Sequence, residues 1–167
     1  MLRALLISAV AAFATLCSPT EQLSDGACLY STEDKYISVG DRADSASVAE
    51  VFGEPRRVVR FTDDEALCGE VERIEYDSMA VTLLNGVVYE FGAWNAGARM
   101  SINGLCVEVG MAHAEIEVGA KFEHRYFEER GCGYIFMRQE DGSLWDDYLI
   151  YTIENERVAS LTWHVPI

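Results

Sequence analysis

The sequence predicts an α+β fold built from two tandem repeats, each a short helical segment followed by a four-stranded antiparallel sheet. Two stretches of the 167-residue chain match at an offset of 70 residues, since Val39-Gly40 corresponds to Val109-Gly110 and 81–85 corresponds to 151–155. Each stretch holds one apolar segment between glycines and then a series of strand-like runs. Internal similarity at a fixed offset is typical of duplicated supersecondary units, so we expect the same small fold to occur twice along the chain.

The N-terminal segment has the pattern of an export signal. The basic start Met1-Leu2-Arg3 precedes an apolar stretch, 4–16, that is too short to span a bilayer and has the form of a secretory signal. We therefore expect a signal peptide over 1–16, a leader segment over 17–37, repeat 1 over 38–92, a linker over 93–105 and repeat 2 over 106–167.

Two routes of processing stay open at this terminus. Ala12-Phe13-Ala14 is a small-x-small cleavage pattern. Alternatively, Ala14-Thr15-Leu16-Cys17 resembles the lipobox of bacterial lipoproteins, although Leu16 stands where that pattern has Gly, Ala or Ser. A lipid on Cys17 is the one membrane attachment that the sequence predicts. The expected location is the periplasm, the outer membrane or the medium outside the cell.

The helical segment of each repeat is expected between two glycines. In repeat 1 the segment 41–52 has one apolar stripe, and Gly53 stands where a helix-terminating glycine belongs. In repeat 2 the segment Met111–Val118 is four residues shorter, which is close to one helical turn. The alternation of 115–118 fits a strand equally well, and the repeat favours a helix.

Four strand-like runs follow each helical segment. Asn85-Gly86, a strong hairpin signal, joins the last two runs of repeat 1, and Asn155-Glu156 stands at the equivalent joint of repeat 2. The runs are Arg56–Phe61, Glu70–Tyr76, Met79–Leu84 and Val87–Phe91 in repeat 1, and Lys121–Phe127, Gly133–Gln139, Asp147–Glu154 and Arg157–Val165 in repeat 2.

The cysteine count is compatible with an oxidising compartment. Once Cys17 is lipidated or removed, four cysteines remain, and repeat symmetry favours pairing Cys28 with Cys68 and Cys106 with Cys132. Four cysteines allow three connectivities, so this pairing is a preference.

Composition and motifs exclude several classes of function. The net charge of −15 repels nucleic acid, so we predict no nucleic-acid partner. The chain lacks the nucleophile elbow, the phosphate loop and the dinucleotide fingerprint, and we predict neither a catalytic residue nor a cofactor. His113 and Glu117 lie four residues apart, but no third ligand is placed by spacing, so no metal site is predicted.

The helix that ends in Phe52-Gly53-Glu54-Pro55, with Gly40 before it and the Asn85-Gly86 hairpin after it, resembles a unit of bacterial envelope proteins. It is similar to the small outer-membrane-assembly lipoproteins of the SmpA/BamE type and, in tandem, to the β-lactamase inhibitory protein family, which carries a bridge within each unit. In repeat 2 the corresponding signature is Val118-Gly119-Ala120-Lys121, without the proline. The resemblance implies a binding protein rather than an enzyme, and no contact residue can be transferred.

Strand alternation divides the hairpins into two faces, and a one-residue slip in register would exchange them. One face, with Phe91, Leu161 and Trp163, is the expected core. The other is either a solvated sheet face with ordinary cross-strand pairs or a binding surface, and for the binding surface we name Glu90, Tyr151, Ser160, Thr162 and His164. The leading hypothesis is a non-enzymatic protein-interaction module of the bacterial envelope with a protein partner. The alternative is a secreted or periplasmic enzyme inhibitor.

Overall fold

The computed structural model describes residues 26–63, 67 and 69–165. Within these residues the chain forms two antiparallel sheets and one α-helix, α1 (Ser45–Phe52). The smaller sheet contains β1 (Cys28–Tyr30), β2 (Tyr36–Ser38), β7 (Arg99–Ile102) and β8 (Leu105–Glu108). The larger sheet contains β3 (Arg57–Asp63), β4 (Gly69–Glu75), β5 (Met79–Leu84), β6 (Val87–Ala93), β9 (Phe122–Phe127), β10 (Cys132–Arg138), β11 (Leu144–Glu154) and β12 (Arg157–His164).

The predicted fold class is wrong, because the structure is mostly β and its strands form sheets of four and eight. The eight runs predicted as two separate sheets lie in one sheet, in the order β3-β4-β5-β6-β12-β11-β10-β9. The second sheet, β2-β1-β7-β8, comes from the predicted leader segment, the predicted linker and the start of the predicted second repeat. Its strands have three or four residues each, too short to show a clear alternation in the sequence.

The helix predicted between Gly40 and Gly53 is confirmed as α1. The Asp44 carboxylate accepts from the Ser47 backbone N–H at 2.8 Å, and the Ser47 hydroxyl accepts from the Asp44 N–H at 2.9 Å. This capping box satisfies two backbone donors that a helix start leaves open. Gly53 ends the helix with φ of 83°. No helix of the described residues is long and apolar enough to cross a membrane.

The helix predicted over Met111–Val118 is wrong, since this segment contains only a 3-10 turn, His113–Glu115. Its start is fixed to β12 by backbone hydrogen bonds, in which Val158 donates to Met111 and His113 donates to Glu156. With one end held by an isolated bridge between Ala112 and Arg157, the few residues left before Gly119 cannot nucleate a stable helix.

The core lies on one face of the eight-stranded sheet, the inner face, which the smaller sheet and α1 cover. One row of cross-strand neighbours crosses all eight strands on this face and is buried over most of its length. Its members are Val58, Ile74, Val81, Phe91, Trp163, Leu149, Ile135 and His124. Burial of such a row in a shared core is what holds the two sheets face to face.

Each sheet takes half of its strands from 28–93 and half from 99–164. Three residue pairs join β1 to β7 in the smaller sheet, and three join β6 to β12 in the larger one. Several backbone contacts recur at the 70-residue offset, namely Gly40 N–H to Val88 O and Gly110 N–H to Val158 O, Val88 N–H to Asp41 O and Val158 N–H to Met111 O. Gly40-Asp41 and Gly110-Met111 therefore attach to the hairpins β5–β6 and β11–β12 in the same way.

The predicted bridge between Cys106 and Cys132 is not formed, and the described cysteines form no disulfide with one another. Cys106 lies in the smaller sheet opposite Ser101, whereas Cys132 lies in the larger sheet opposite Thr152. Cys68, the predicted partner of Cys28, and Cys17, the predicted lipidation site, lie outside the described residues.

Candidate binding face of the eight-stranded sheet

The face of the larger sheet that points away from the core, the outer face, changes in character from one half to the other. Across β3 and β4 it carries charged side chains such as Arg57 and Arg73 beside apolar ones such as Phe61 and Val71. Across β9 to β12 it carries aromatic side chains, because the register puts Tyr134 opposite Ile150 and Phe136 opposite Tyr148. The next strand continues these rows with Thr162 opposite Ile150 and His164 opposite Tyr148.

These aromatic side chains touch one another in a chain that crosses four strands. We call Phe127, Tyr134, Phe136, Tyr148 and His164 the aromatic cluster. The ring centroids of Phe127 and Tyr134 are 5.5 Å apart, those of Phe136 and Tyr148 are 5.0 Å apart, and those of Tyr148 and His164 are 5.1 Å apart. Phe127 is 44% exposed, and the other four members are half-buried. Rings that pack edge to face or offset in this range stabilise each other by about 0.5–1.5 kcal/mol per pair.

Arginines border the aromatic cluster although the chain as a whole is strongly acidic. The Arg125 guanidinium lies 5.1 Å from the centre of the Phe136 ring, and the Arg130 guanidinium lies 6.0 Å from the centre of the Phe127 ring. Arg138 and Arg125 both form ion pairs with Glu123. These bonds, first of all the one from Arg125, lower the pKa of the Glu123 carboxyl below its ordinary value. Glu123 therefore stays ionised and fixes both arginines.

At the far end of the cluster, His164 Nδ1 lies 3.4 Å from Glu90 Oε1. The pKa of the nearby Asp147 carboxyl is raised, chiefly by burial and then by the charge of Asp146, while His164 acts in the opposite direction. The pKa of the Tyr134 phenol is also raised, first by its hydrogen bond with Cys132 and then by burial. The Tyr134 phenol therefore stays protonated at physiological pH, and its oxygen can still accept a hydrogen bond from a partner.

Four of the five residues predicted for the binding surface share the outer face. Ser160, Thr162 and His164 alternate along β12, and Glu90 meets His164 from β6. The prediction for Tyr151 is wrong, since Tyr151 pairs with Leu161 on the inner face and is completely buried. Burial raises the pKa of its phenol to about 12.

A bulge in β12 explains this error, and β6 has a similar one. In β12 the register shifts so that Thr152 pairs with Ser160 and Ile153 with Val158, which leaves Ala159 opposite no residue. In β6, Tyr89 likewise lies opposite no residue of β5. A bulge moves all later residues of the strand to the opposite face relative to strict alternation. Neither position has the glycine that marks the commonest bulge in a sequence.

The predicted relation between His113 and Glu117 depended on a helix that does not form. His113 instead lies beside Tyr126 and Tyr151 at the edge of the inner face, far along the sheet from His164 in strand order. Tyr134, Phe136 and Tyr148 are absent from the residues predicted for the binding surface. The alternation of Tyr134, Phe136 and Arg138 in one predicted strand was the available signal.

Comparison of the chain with protein-family models, with curated proteins and with solved structures finds no match. The function of the outer face therefore has to follow from its own geometry and chemistry.

Proposed function

We propose that this chain is an exported protein-binding module of the bacterial cell envelope that holds a protein partner on the aromatic cluster. The observation that supports this most directly is a connected set of aromatic side chains on the sheet face opposite the core. Large apolar groups that lie together on a surface are typical of interaction sites. The export signal over 1–16 and the resemblance around Phe52-Gly53-Glu54-Pro55 support the envelope as the location.

The composition of the cluster suits recognition of a protein. Tyrosine, phenylalanine and arginine are enriched at the centres of protein interfaces, where they dominate the binding free energy. Arg125 and Arg130 here stand next to phenylalanine rings, so a partner would meet apolar surface and cationic groups together.

The rings are also held in place before any partner binds. Tyr134 lies 5.7 Å from Tyr148 and 6.4 Å from Phe136 between ring centroids, so its motion is limited on two sides. Side chains that are already ordered lose less entropy when a partner binds, which favours affinity.

Affinity capture with matched variants tests the proposal. Purified wild-type protein, a Tyr134→Ala/Tyr148→Ala variant and a Tyr36→Ala variant are immobilised and exposed to a bacterial envelope extract. Tyr36 is a suitable control because it is 42% exposed but lies on β2 of the smaller sheet. Since hot-spot residues contribute 2 kcal/mol or more, we expect the double variant to bind the captured protein roughly 30-fold or more weakly.

The affinity for each captured protein is then measured with purified material, and circular dichroism checks that the variants are folded. Equal affinity of wild-type protein and the Tyr134→Ala/Tyr148→Ala variant for every captured protein would contradict the proposed surface. A loss with the Tyr36→Ala variant alone would place the binding surface on the smaller sheet.

A second candidate function is inhibition of an enzyme by the same face. The ordered rings of the aromatic cluster favour it, because tight protein inhibitors bind with little rearrangement. It is tested by adding the protein to a panel of β-lactamases, proteases and lysozymes. We expect inhibition that the Tyr134→Ala/Tyr148→Ala variant lacks, and unchanged activity of every enzyme would remove this function.

A further inference from the structure

Three metal-binding side chains converge at the edge of the inner face, apart from the aromatic cluster. His113 Nε2 lies 3.1 Å from the Tyr151 hydroxyl oxygen, and His124 Nε2 lies 2.6 Å from the same atom. Two ligands on one ion, each about 2.0–2.1 Å from it, are separated by roughly 3 Å. Each of the two nitrogens thus lies about as far from the Tyr151 oxygen as two ligands of one ion lie from each other.

Without a metal ion, hydrogen bonding gives the two imidazoles different roles. The Tyr151 hydroxyl has one proton and can donate it to only one of the two imidazoles. The other imidazole has to donate its own Nε2–H, so the two histidines need different tautomers. A cation placed among the three atoms would accept lone pairs from both imidazoles in the same tautomer.

The side chains are held by three separate parts of the fold. His124 lies on the edge strand β9, Tyr151 lies on β11, and His113 begins the 3-10 turn that is bonded to Glu156. The Tyr126 ring packs 4.2 Å from the His113 ring and is nearly parallel to the Tyr151 ring. Such support fixes the orientation of the imidazoles, as metal sites require.

The site formed by His113, His124 and Tyr151 is also open to solvent on one side. His124 is exposed and His113 is half-buried, whereas Tyr151 closes the site from below. Water can therefore reach the remaining coordination positions. The described residues hold no cluster of three His, Cys, Asp or Glu side chains, so the phenol is needed as the third protein group.

We propose that His113, His124 and Tyr151 form a binding site for one divalent transition-metal ion of the kind that prefers imidazole, represented by Zn²⁺ and Ni²⁺. Imidazole nitrogen suits these ions, whereas Mg²⁺ and Ca²⁺ require a shell of oxygen atoms. The two histidines are the main ligands, the Tyr151 oxygen becomes the third when the metal displaces the phenol proton to water, and water completes the shell.

Calorimetric titration of the chelator-treated full chain with ZnCl₂, NiCl₂ and MgCl₂ tests the site, with thiols kept reduced. His113→Gln and His124→Gln remove one ligand each, and Tyr151→Phe removes the oxygen. His164→Gln is the matched control, because His164 is the one other histidine of the chain and lies on the outer face. His124 is exposed on an edge strand, so its variant is expected to fold.

We expect wild-type protein and His164→Gln to bind one equivalent of Zn²⁺ or Ni²⁺ with the same affinity, and neither to bind Mg²⁺. His113→Gln and His124→Gln should each bind at least tenfold more weakly. In wild-type protein the metal should also shift the ring NMR signals of His113 and His124 and leave those of His164 in place. Equal affinity of wild-type protein and His124→Gln, or no Zn²⁺-dependent shift of either ring, would overturn the assignment.

Discussion

Replacing Gly133 with alanine should destabilise the fold through the Tyr151 ring. Gly133 lies opposite Tyr151 on the inner face, and a Cβ atom at Gly133 would approach three atoms of the Tyr151 ring and hydroxyl to less than 3.0 Å. Real Cβ atoms essentially never show such contacts, so the Tyr151 ring has to move by about 1 Å. The ring is completely buried, and its neighbours in a close-packed core cannot move freely.

Two effects lower the free energy of unfolding of Gly133→Ala, and a third partly compensates for them. Overpacking in a core costs about 1–3 kcal/mol. The displaced hydroxyl also loses its hydrogen bonds with His113 and His124, each worth about 0.5–1.5 kcal/mol. Alanine reduces the entropy of the unfolded chain, which returns about 0.4–1 kcal/mol. The free energy of unfolding should therefore fall by about 2–4 kcal/mol.

Urea unfolding followed by far-UV circular dichroism measures this change, and the slope of the transition should stay unchanged. Gly119→Ala is the control, since a Cβ at Gly119 meets no atom within 4 Å and its backbone is not in the left-handed region. We expect it within about 0.5 kcal/mol of wild type. If Gly133→Ala were equally neutral, the tight contact between Gly133 and the Tyr151 ring would not exist.

Four further outcomes are expected. Tyr76→Phe should stabilise the chain by about 1 kcal/mol at pH 7, because the buried Tyr76 hydroxyl has no hydrogen-bond partner within the described residues. Burial and the charge of Glu54 raise the pKa of Tyr76 to about 12, so the folded state holds this proton more tightly than the unfolded state does. Stability of the wild-type protein should therefore fall as the pH rises from 10 to 12, and the fall should be smaller in Tyr76→Phe when both are compared by urea unfolding. Asp44→Ala removes the helix cap and should lower the free energy of unfolding in the same assay. Leu149→Ala in the core row should cost about 2–5 kcal/mol, and Phe61→Ala at a side chain that is 49% exposed should cost far less, as thermal unfolding can show.

The sequence carries enough local information to place most strands of the larger sheet. Met79–Leu84 is predicted and observed with the same bounds. Asn85 and Gly86 adopt φ of 52° and 74°, as the hairpin signal requires. Asn155 and Glu156 form an equivalent turn with φ of 51° and 63°, although glutamate is an unusual residue there.

The assembly of these strands depends on contacts that are distant in sequence. β6 and β12 pair with each other and do not remain two sheet edges, and Phe91, Leu161 and Trp163 are buried where the two strands meet. No local pattern in either strand specifies this pairing. The helix predicted over Met111–Val118 does not form for a related reason. Hydrogen bonds to β12 and to the turn before it fix the backbone of Met111–His113 in a non-helical conformation.

The candidate binding face could be predicted only in part. Alternation along β12 places Ser160, Thr162 and His164 together, as observed. The faces of β11 and β12 cannot be matched without knowing that Ala159 forms a bulge, and for this reason Tyr151 was assigned to the wrong side. The meeting of His113 with Tyr151 depends on tertiary structure and has no counterpart in residue spacing.

The pairing of β1 with β7 and of β6 with β12 has a consequence for the reassociation of two fragments of the chain. Cutting the chain between β6 and β7 leaves fragments that share three residue pairs in each sheet, while the buried side chains of Phe91, Leu161 and Trp163 span the cut. Reassociation of the fragments would thus be driven mostly by removal of apolar surface from water. Its signature is a large negative heat-capacity change, so the fragments should separate more readily in the cold.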